Sequence, residues 1–193
     1  MKFIGFYNYT VILTYISLFS GVFGIGAAAN GRVGLAVICL MFSGFCDMFD
    51  GAVARTKKDR TEDEKNFGIQ LDSLCDVICF GVLPAVILYF SGVKTFLGII
   101  ILLCYVLCGL IRLAFFNVLE TKRQTVEDGC AKGYRGLPIT MASAILPIFY
   151  FLGLFLDPAV MVVIYHILPA VIAFFFVFDI HIPKIDISKI FKK

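Results

Sequence analysis

Apolar residues occur along this chain in runs of about twenty, each long enough to cross a ~30 Å hydrocarbon core as an α-helix. Short polar segments separate the runs. The pattern predicts an all-α polytopic membrane protein with six transmembrane helices, and residues 1–193 are expected to form one membrane domain. The predicted spans are Tyr9–Ala29, Val33–Arg55, Gly68–Phe90, Thr95–Phe116, Leu137–Phe155 and Ala159–Phe178.

Turn-forming residues lie between the predicted helices. Asn30-Gly31, Gly92 and Asp157-Pro158 predict tight turns on one side of the membrane. The connector Thr56–Phe67 alternates acidic and basic residues, as a solvated loop does. Pro84 falls inside the third span and predicts a bend there, which membrane helices tolerate.

The composition agrees with a membrane protein. Hydrophobic residues make up 60% of the chain and charged residues 16%, with a mean hydropathy of +0.94. An ordinary soluble domain has roughly 45–50% apolar and about 25% charged residues. The net charge is +3, and the basic residues form no stripe with interleaved aromatic residues. Nucleic acid is therefore not an expected partner.

The distribution of basic residues predicts the orientation. Six spans place both termini and the loops 56–67 and 117–136 on one side. Of the 17 Lys and Arg residues, all but Arg32 and Lys94 fall on that side or at the helix ends facing it. The positive-inside rule makes this face cytoplasmic. We therefore expect a multi-pass protein of the cell membrane with both termini in the cytoplasm.

Four acidic residues interrupt the second and third apolar runs. Each carboxylate at membrane depth costs at least ~2.5–3.5 kcal/mol, which makes such residues candidates for a functional site. Asp47 and Asp50 share one helix face, and so do Asp72 and Asp76. Two antiparallel helices with a short connector can direct these carboxylates to one point near the cytoplasmic interface. Hard oxygen ligands of this kind suit Mg²⁺, Mn²⁺ or Ca²⁺ better than zinc.

Small residues lie beside the acids, namely Gly51, Ala54 and Gly68. Such residues commonly mark helix-packing surfaces in membranes. Next to four acids and Arg55, they would equally leave room for a phosphorylated ligand. We favour the second interpretation.

Together these positions resemble the signature of the CDP-alcohol phosphatidyltransferases. The matching residues are Asp47, Asp50, Gly51, Ala54, Arg55, Gly68, Asp72 and Asp76. The connector Thr56–Phe67 is twelve residues long, which exceeds the family's usual spacing. Because the surplus lies in a charged loop, we expect it to lengthen the connector without moving the helix faces.

The flanking residues look most like the family members that use serine as acceptor. The pertinent stretches are 14–21, 67–85, 111–117 and 135–138, and the resemblance runs from about residue 9 to 150. Relatives that make phosphatidylglycerol phosphate typically show Asp-Pro after the third aspartate, whereas this chain has Asp72-Ser73.

The resemblance implies transfer of a phosphatidyl group from CDP-diacylglycerol to L-serine, which gives phosphatidylserine and CMP. Two Mg²⁺ or Mn²⁺ ions would be held by the four aspartates, and Asp76 would act as general base. The implied contacts to the CDP-lipid are Asp50, Gly51, Ala54, Arg55 and Gly68. The family also suggests a homodimer.

The predicted serine site depends on basic residues near the cytoplasmic end of the fourth span. A serine carboxylate needs a cation, and the planar fork of arginine fits it best. The candidates are Arg112, Asn117, Lys132 and Arg135. Alternatively, Arg112 extends toward the interface and the loop residues follow the positive-inside rule.

Three other functions remain open at this point. The acceptor could be another alcohol, such as glycerol 3-phosphate or an inositol phosphate, although a phosphorylated acceptor would want a denser cationic pocket. A divalent-cation transporter would also place acids in a membrane. Against it, all four acids lie near one face, and no second polar layer leads to the other. A catalytically silent lipid-binding scaffold would not need the complete set of acids.

Overall fold

The computed structural model describes residues 4–54, 56–57, 59–125, 134–179 and 181–182. Helices dominate the described residues. They are α1 (Ile12–Ala29), α2 (Val33–Ala54), α3 (Glu62–Asp76), α4 (Leu83–Phe90), α5 (Phe96–Thr125), α6 (Ala142–Leu152) and α7 (Pro158–Val177). Short 3₁₀ turns, Tyr9–Val11 and Ile139–Met141, precede α1 and α6, and a π-helix, Val77–Val82, joins α3 to α4.

Five helical segments of the described chain are long and apolar enough to cross a membrane. They are Tyr9–Ala29, Val33–Ala54, Glu62–Phe90, Phe96–Leu119 and Pro158–Val177. The shorter apolar helix Ile139–Leu152 takes the place of the fifth predicted span. The prediction of an all-α, multi-pass membrane protein is confirmed.

The third helix begins earlier than the sequence pattern predicted. It begins at Glu62 rather than Gly68, because Thr61 and Glu64 form a capping box. The Thr61 hydroxyl accepts a hydrogen bond from the Glu64 N–H at 3.2 Å, and the Glu64 carboxylate accepts one from the Thr61 N–H at 3.1 Å. Half of the connector that we expected to be a loop is therefore helical.

The fourth helix ends later than predicted. Apolar residues stop near Phe116, but α5 continues to Thr125. Residues such as Glu120 and Lys122 favour helix in water as readily as leucine does, so the polar residues prolong the helix beyond its apolar part.

The three tight turns predicted at Asn30-Gly31, Gly92 and Asp157-Pro158 are present. Gly31 has a φ of +76° and Gly92 a φ of +121°, a conformation that residues with a Cβ rarely adopt. The Asp157 carboxylate accepts a hydrogen bond from the Ala159 N–H at 2.7 Å and so caps α7.

Small residues allow α1 and α2 to pack closely on their neighbours. A Cβ on Gly21 of α1 would lie 2.7 Å from Cys79 Sγ of the π-helix, and one on Gly44 of α2 would collide with the Ser143 side chain of α6. Between α1 and α2, the Ser17 hydroxyl donates to the Ser43 carbonyl at 3.3 Å, and the Ser43 hydroxyl donates to the Ser17 carbonyl at 3.0 Å. Such close packing with cross-helix hydrogen bonds is typical of membrane bundles.

The π-helix lies next to Pro84, where the sequence predicted a bend. Proline has no N–H, so the turn before it lacks one backbone donor. The Leu83 N–H bonds the Ile78 carbonyl, five residues back. The Phe80 carbonyl accepts a hydrogen bond of 2.6 Å from the buried Tyr105 hydroxyl, so α5 supplies a side-chain donor at this irregular turn.

Two strands of two residues were not predicted. Tyr134 pairs with Ile182 and Arg135 with His181 in antiparallel register. The pairing joins the segment before α6 to the segment after α7. Strands of two residues are too short to show an alternating pattern, so they could not be predicted from the sequence.

Candidate active site

Carboxylates from α2 and α3 converge at one end of the bundle. One oxygen from each of Asp47, Asp50 and Asp72 lies within 4.8 Å of the others. The two helices run in opposite directions, and the spacing within each places its acids on one face. The convergence that the spacing predicted is therefore present in the fold.

Asp76 adjoins this group at the end of α3, where the π-helix begins. Its side chain is 8% exposed and is the most buried of the four acids. The side chains of Asp76 and Asp47 contact each other, as do those of Asp72 and Asp50. The four predicted acids thus form one cluster, with Asp76 at its inner end.

The donor set fits hard divalent cations. Converging carboxylates repel one another, and the repulsion is strongest where little water reaches them. The ion pairs among the described residues are Lys57–Glu64 and Lys65–Glu62, and neither includes an aspartate of the cluster. Oxygen-only ligands of this kind suit hard divalent cations such as Mg²⁺, Mn²⁺ or Ca²⁺.

The first helix also reaches the cluster. The Thr14 hydroxyl lies 3.5 Å from Asp50 Oδ2, a long hydrogen bond that comes from α1. Thr14 was not among the predicted site residues. In the sequence it is one of a few polar residues in a largely apolar run, and this pattern does not show which helix the hydroxyl would meet.

The small residues beside the acids have different surroundings. Gly51 is exposed and Ala54 is half-buried, while Arg55 lies outside the described residues. A Cβ on Gly68 would lie only 2.7 Å from Arg60 Nη2. The guanidinium of Arg60, a residue of the lengthened connector, therefore lies directly against Gly68. Arg60 was not among the predicted site residues.

Two predicted serine-site residues lie on α5. Arg112 is buried, at 7% exposure, with its guanidinium 5.4 Å from the ring centre of Phe116. The Asn117 side-chain oxygen accepts a hydrogen bond of 2.9 Å from the Ser73 hydroxyl.

The contacts of α5 place Arg112 at the depth of Asp76. Asn117 meets Ser73 at one end of this stretch, and Tyr105 meets Phe80 at the other. Along the chain, Asp76 lies between Ser73 and Phe80, and Arg112 lies between their partners Asn117 and Tyr105. The two side chains are therefore at similar depth.

Arg112 also lines a cavity of about 250 Å³. The lining residues are Ile111, Arg112, Phe115, Gly136, Phe176, Val177, Phe178 and Asp179. The walls of this cavity therefore carry one cationic side chain, Arg112, and one anionic side chain, Asp179. Gly136, with a φ of +74°, fits against the Phe176 carbonyl, which a Cβ would approach to 3.1 Å.

The remaining serine-site candidates precede this glycine. The backbone of Arg135 belongs to the first short strand, but its side chain is outside the described part of the chain. Lys132 lies outside the described residues altogether.

The chain belongs to the CDP-alcohol phosphatidyltransferase family, whose profile matches residues 7–178. It is 35% identical to archaetidylserine synthase of Methanothermobacter thermautotrophicus, over 75% of this chain and 58% of that protein. It is 32% identical to CDP-diacylglycerol–serine O-phosphatidyltransferase of Bacillus subtilis, over 72% of this chain and 73% of that protein. The yeast protein of the same name, from Saccharomyces cerevisiae, is 41% identical over 53% of this chain.

The chain spans 58% of the length of the Methanothermobacter relative and 37% of that of the yeast relative. No solved structure matches it significantly.

Proposed function

We propose that this protein transfers the phosphatidyl group of CDP-diacylglycerol to the hydroxyl of L-serine, with release of CMP. The observation that carries the proposal is the convergence of Asp47, Asp50 and Asp72 within 4.8 Å, with Asp76 beside them. The cluster supplies a site for cations that can bind a diphosphate, and family membership supplies the reaction class. The names of the relatives favour serine as the acceptor.

The four aspartates would hold two divalent cations, Mg²⁺ or Mn²⁺. Bound there, the ions would neutralise charge on the attacking and leaving oxygens of a displacement at phosphorus. By holding the cations, the aspartates would fix the position of the diphosphate relative to the helices. Their rigid placement on α2 and α3 favours one orientation of the lipid.

Asp76 is the proposed general base. The serine hydroxyl oxygen forms the new bond to the lipid-linked phosphorus while the bond from that phosphorus to the CMP oxygen breaks. The hydroxyl proton passes to a carboxylate oxygen of Asp76, and the electron pair leaves with CMP. Burial of Asp76 would limit the access of water, which would otherwise compete with serine for the lipid-linked phosphorus.

The nucleotide part of the lipid is proposed to lie along the outer turns of α2 and α3. Asp50, Gly51, Ala54, Arg55 and Gly68 would contact it, as the family resemblance implies. Exposed Gly51 and half-buried Ala54 leave this surface open to a ligand.

Serine is proposed to bind beside Arg112. The guanidinium would hold its carboxylate, and Asp179 on the wall of the same cavity offers a partner for its ammonium group. Opposite charges across one cavity suit a zwitterion better than a phosphorylated alcohol. Asn117, Lys132 and Arg135 complete the proposed acceptor site.

The site is proposed to face the cytoplasm in the cell membrane, because the basic residues concentrate at that end of the helices. We further propose that residues 1–193 act as one membrane domain and that the protein works as a homodimer.

An acceptor panel tests the proposal. Purified protein in nanodiscs receives CDP-diacylglycerol and Mg²⁺ or Mn²⁺, together with serine, glycerol 3-phosphate, inositol phosphate or ethanolamine. We expect CMP release with serine well above that with the other alcohols. Preference for a phosphorylated alcohol would overturn the assignment of serine, and metal transport without CMP release would favour a transporter.

A further inference from the structure

Arg60 has an unusual environment for a cation. Its Nη2 donates a hydrogen bond of 3.1 Å to the Glu64 backbone carbonyl. Its Nε is buried and has no hydrogen-bond partner among the described residues. Neither of the two ion pairs in the described part of the chain includes Arg60. At least the Nε–H of the guanidinium is thus without a partner among the described residues.

The position of Arg60 relative to α3 gives it little structural benefit. The guanidinium lies against the first turns of the helix, where the positive end of the helix dipole disfavours a cation. The acids of the first turn already have basic partners: Glu64 pairs with Lys57 at 2.9 Å and Glu62 with Lys65 at 2.7 Å. Asp63 is exposed.

The same position is close to the aspartate cluster. Arg60 covers Gly68, which precedes Asp72 by four residues on the same helix face. At 1.5 Å per residue, the guanidinium lies about 6 Å along the helix from Asp72. If a ligand is held by the aspartates and lies along α3, the next polar group of that ligand would reach Arg60.

The charges of the proposed complex leave a role for such a cation. Two divalent ions would balance the four carboxylates, and the dianionic diphosphate of the lipid would remain to be neutralised. When the bond to phosphorus breaks, further negative charge develops on the phosphate of the departing CMP. Arginine is suited to this task because its planar fork can bind two phosphate oxygens.

We infer that Arg60 binds the cytidine-side phosphate of the CDP-lipid and retains that contact with CMP. The inference rests on the proposed function for the identity of the nucleotide. It assigns a ligand-binding role to the lengthened connector, which supplies an arginine at a place where the signature itself has none.

The test compares the binding of CMP with that of cytidine, which lacks the phosphate. Isothermal titration in the presence of Mg²⁺ is carried out on the wild type and on Arg60→Ala, Arg60→Gln and Arg60→Lys. Glutamine can keep the bond to the Glu64 carbonyl but has no charge. Lys65→Ala is the matched control, because it removes one cation from the same helix end. Thermal unfolding without ligand checks that each variant is folded.

We expect Arg60→Ala and Arg60→Gln to weaken CMP binding by about tenfold or more, the usual effect of losing a charge-assisted hydrogen bond. Cytidine binding should not change. Arg60→Lys should lie between these variants and the wild type, and Lys65→Ala should bind CMP as the wild type does.

Unchanged CMP affinity in folded Arg60 variants would overturn the inference, as would equal losses for CMP and cytidine. Tighter CMP binding would also overturn it, since it would show that the guanidinium occupies space needed by the nucleotide. A wild type that binds no CMP would remove this inference and the proposed function together. A wild type that binds CMP through Arg60 but does not use serine would refute only the acceptor.

Discussion

Asp76 differs from the other three acids of the cluster in its burial, and a residue-scale prediction follows from that difference. Asn has nearly the same shape as Asp but cannot take up the serine proton. Asp76→Asn should therefore abolish CMP release while the protein stays folded and binds CDP-diacylglycerol at least weakly. Turnover assays and a binding titration on the same preparation check this. Near-wild-type turnover would remove Asp76 as the base.

Asp47 and Asp50 are predicted to act through bound cations. Mn²⁺ should raise the midpoint of thermal unfolding of the wild type, because a ligand that binds only the folded state stabilises it. Asp47→Ala and Asp50→Ala should show a much smaller rise and should lose CDP-diacylglycerol binding. Full activity in excess EDTA, or an equal Mn²⁺ effect in all three proteins, would contradict the metal assignment.

Substitution of Arg112 should distinguish acceptor binding from lipid binding. Lysine keeps the charge but lacks the planar fork that binds both carboxylate oxygens. Arg112→Lys should raise the KM for serine several-fold or more and should change the KM for CDP-diacylglycerol far less. Ethanolamine lacks the carboxylate, so the preference for serine over ethanolamine should narrow in this variant. Equal preference in both proteins would place Arg112 outside the serine site.

The acids could be predicted from the sequence because regular spacing on two consecutive helices fixes their direction. Asp47 and Asp50, like Asp72 and Asp76, need only helical geometry and an antiparallel neighbour to meet. Thr14 and Arg60 could not be predicted in this way. The hydroxyl of Thr14 depends on how α1 packs on α2, and Arg60 depends on how the lengthened connector folds back on Gly68.

At the scale of the helices, the π-helix after Asp76 carries the next prediction. Tyr105 donates to the Phe80 carbonyl and so joins α5 to the helix that bears Asp76. Tyr105→Phe leaves this buried carbonyl without its side-chain donor, at a cost of about 1–3 kcal/mol. We expect a lower midpoint of thermal unfolding and, because α5 also carries Arg112, a higher KM for serine.

Tyr89→Phe provides the control for this experiment, because Tyr89 is exposed on α4. It should change neither the unfolding midpoint nor the KM for serine. If Tyr105→Phe behaved like Tyr89→Phe in both measurements, the hydrogen bond to Phe80 would have no part in positioning the site.

Most helix ends could be predicted because turn residues mark them. Gly31, Gly92 and Asp157 lie where the apolar runs stop, and the helices end or begin beside them. The start at Glu62 also has a signal, the Thr61-x-x-Glu64 capping pattern, but the alternating charges of the connector are equally typical of a solvated loop. The π-helix had only Pro84 as a sign, and proline does not specify which irregular turn precedes it.

At the scale of the whole molecule, lipid-facing and interior surfaces separate clearly. Large apolar side chains such as Phe19, Phe23 and Leu97 are more than 60% exposed, as lipid contact requires. The polar side chains of the cluster instead lie between α1, α2 and α3. In the proposed reaction, the hydrocarbon chains of the lipid would stay in the bilayer while its head group reached the aspartates.

The central claim is that this cluster joins serine to a lipid phosphate, and one measurement tests it most directly. The protein in nanodiscs receives CDP-diacylglycerol, radiolabelled serine and Mn²⁺, and both CMP and labelled lipid are quantified over time. We predict equal amounts of CMP and labelled lipid, with neither product formed in EDTA or by Asp76→Asn. CMP release without label in the lipid, or label entering the lipid in EDTA, would contradict the account.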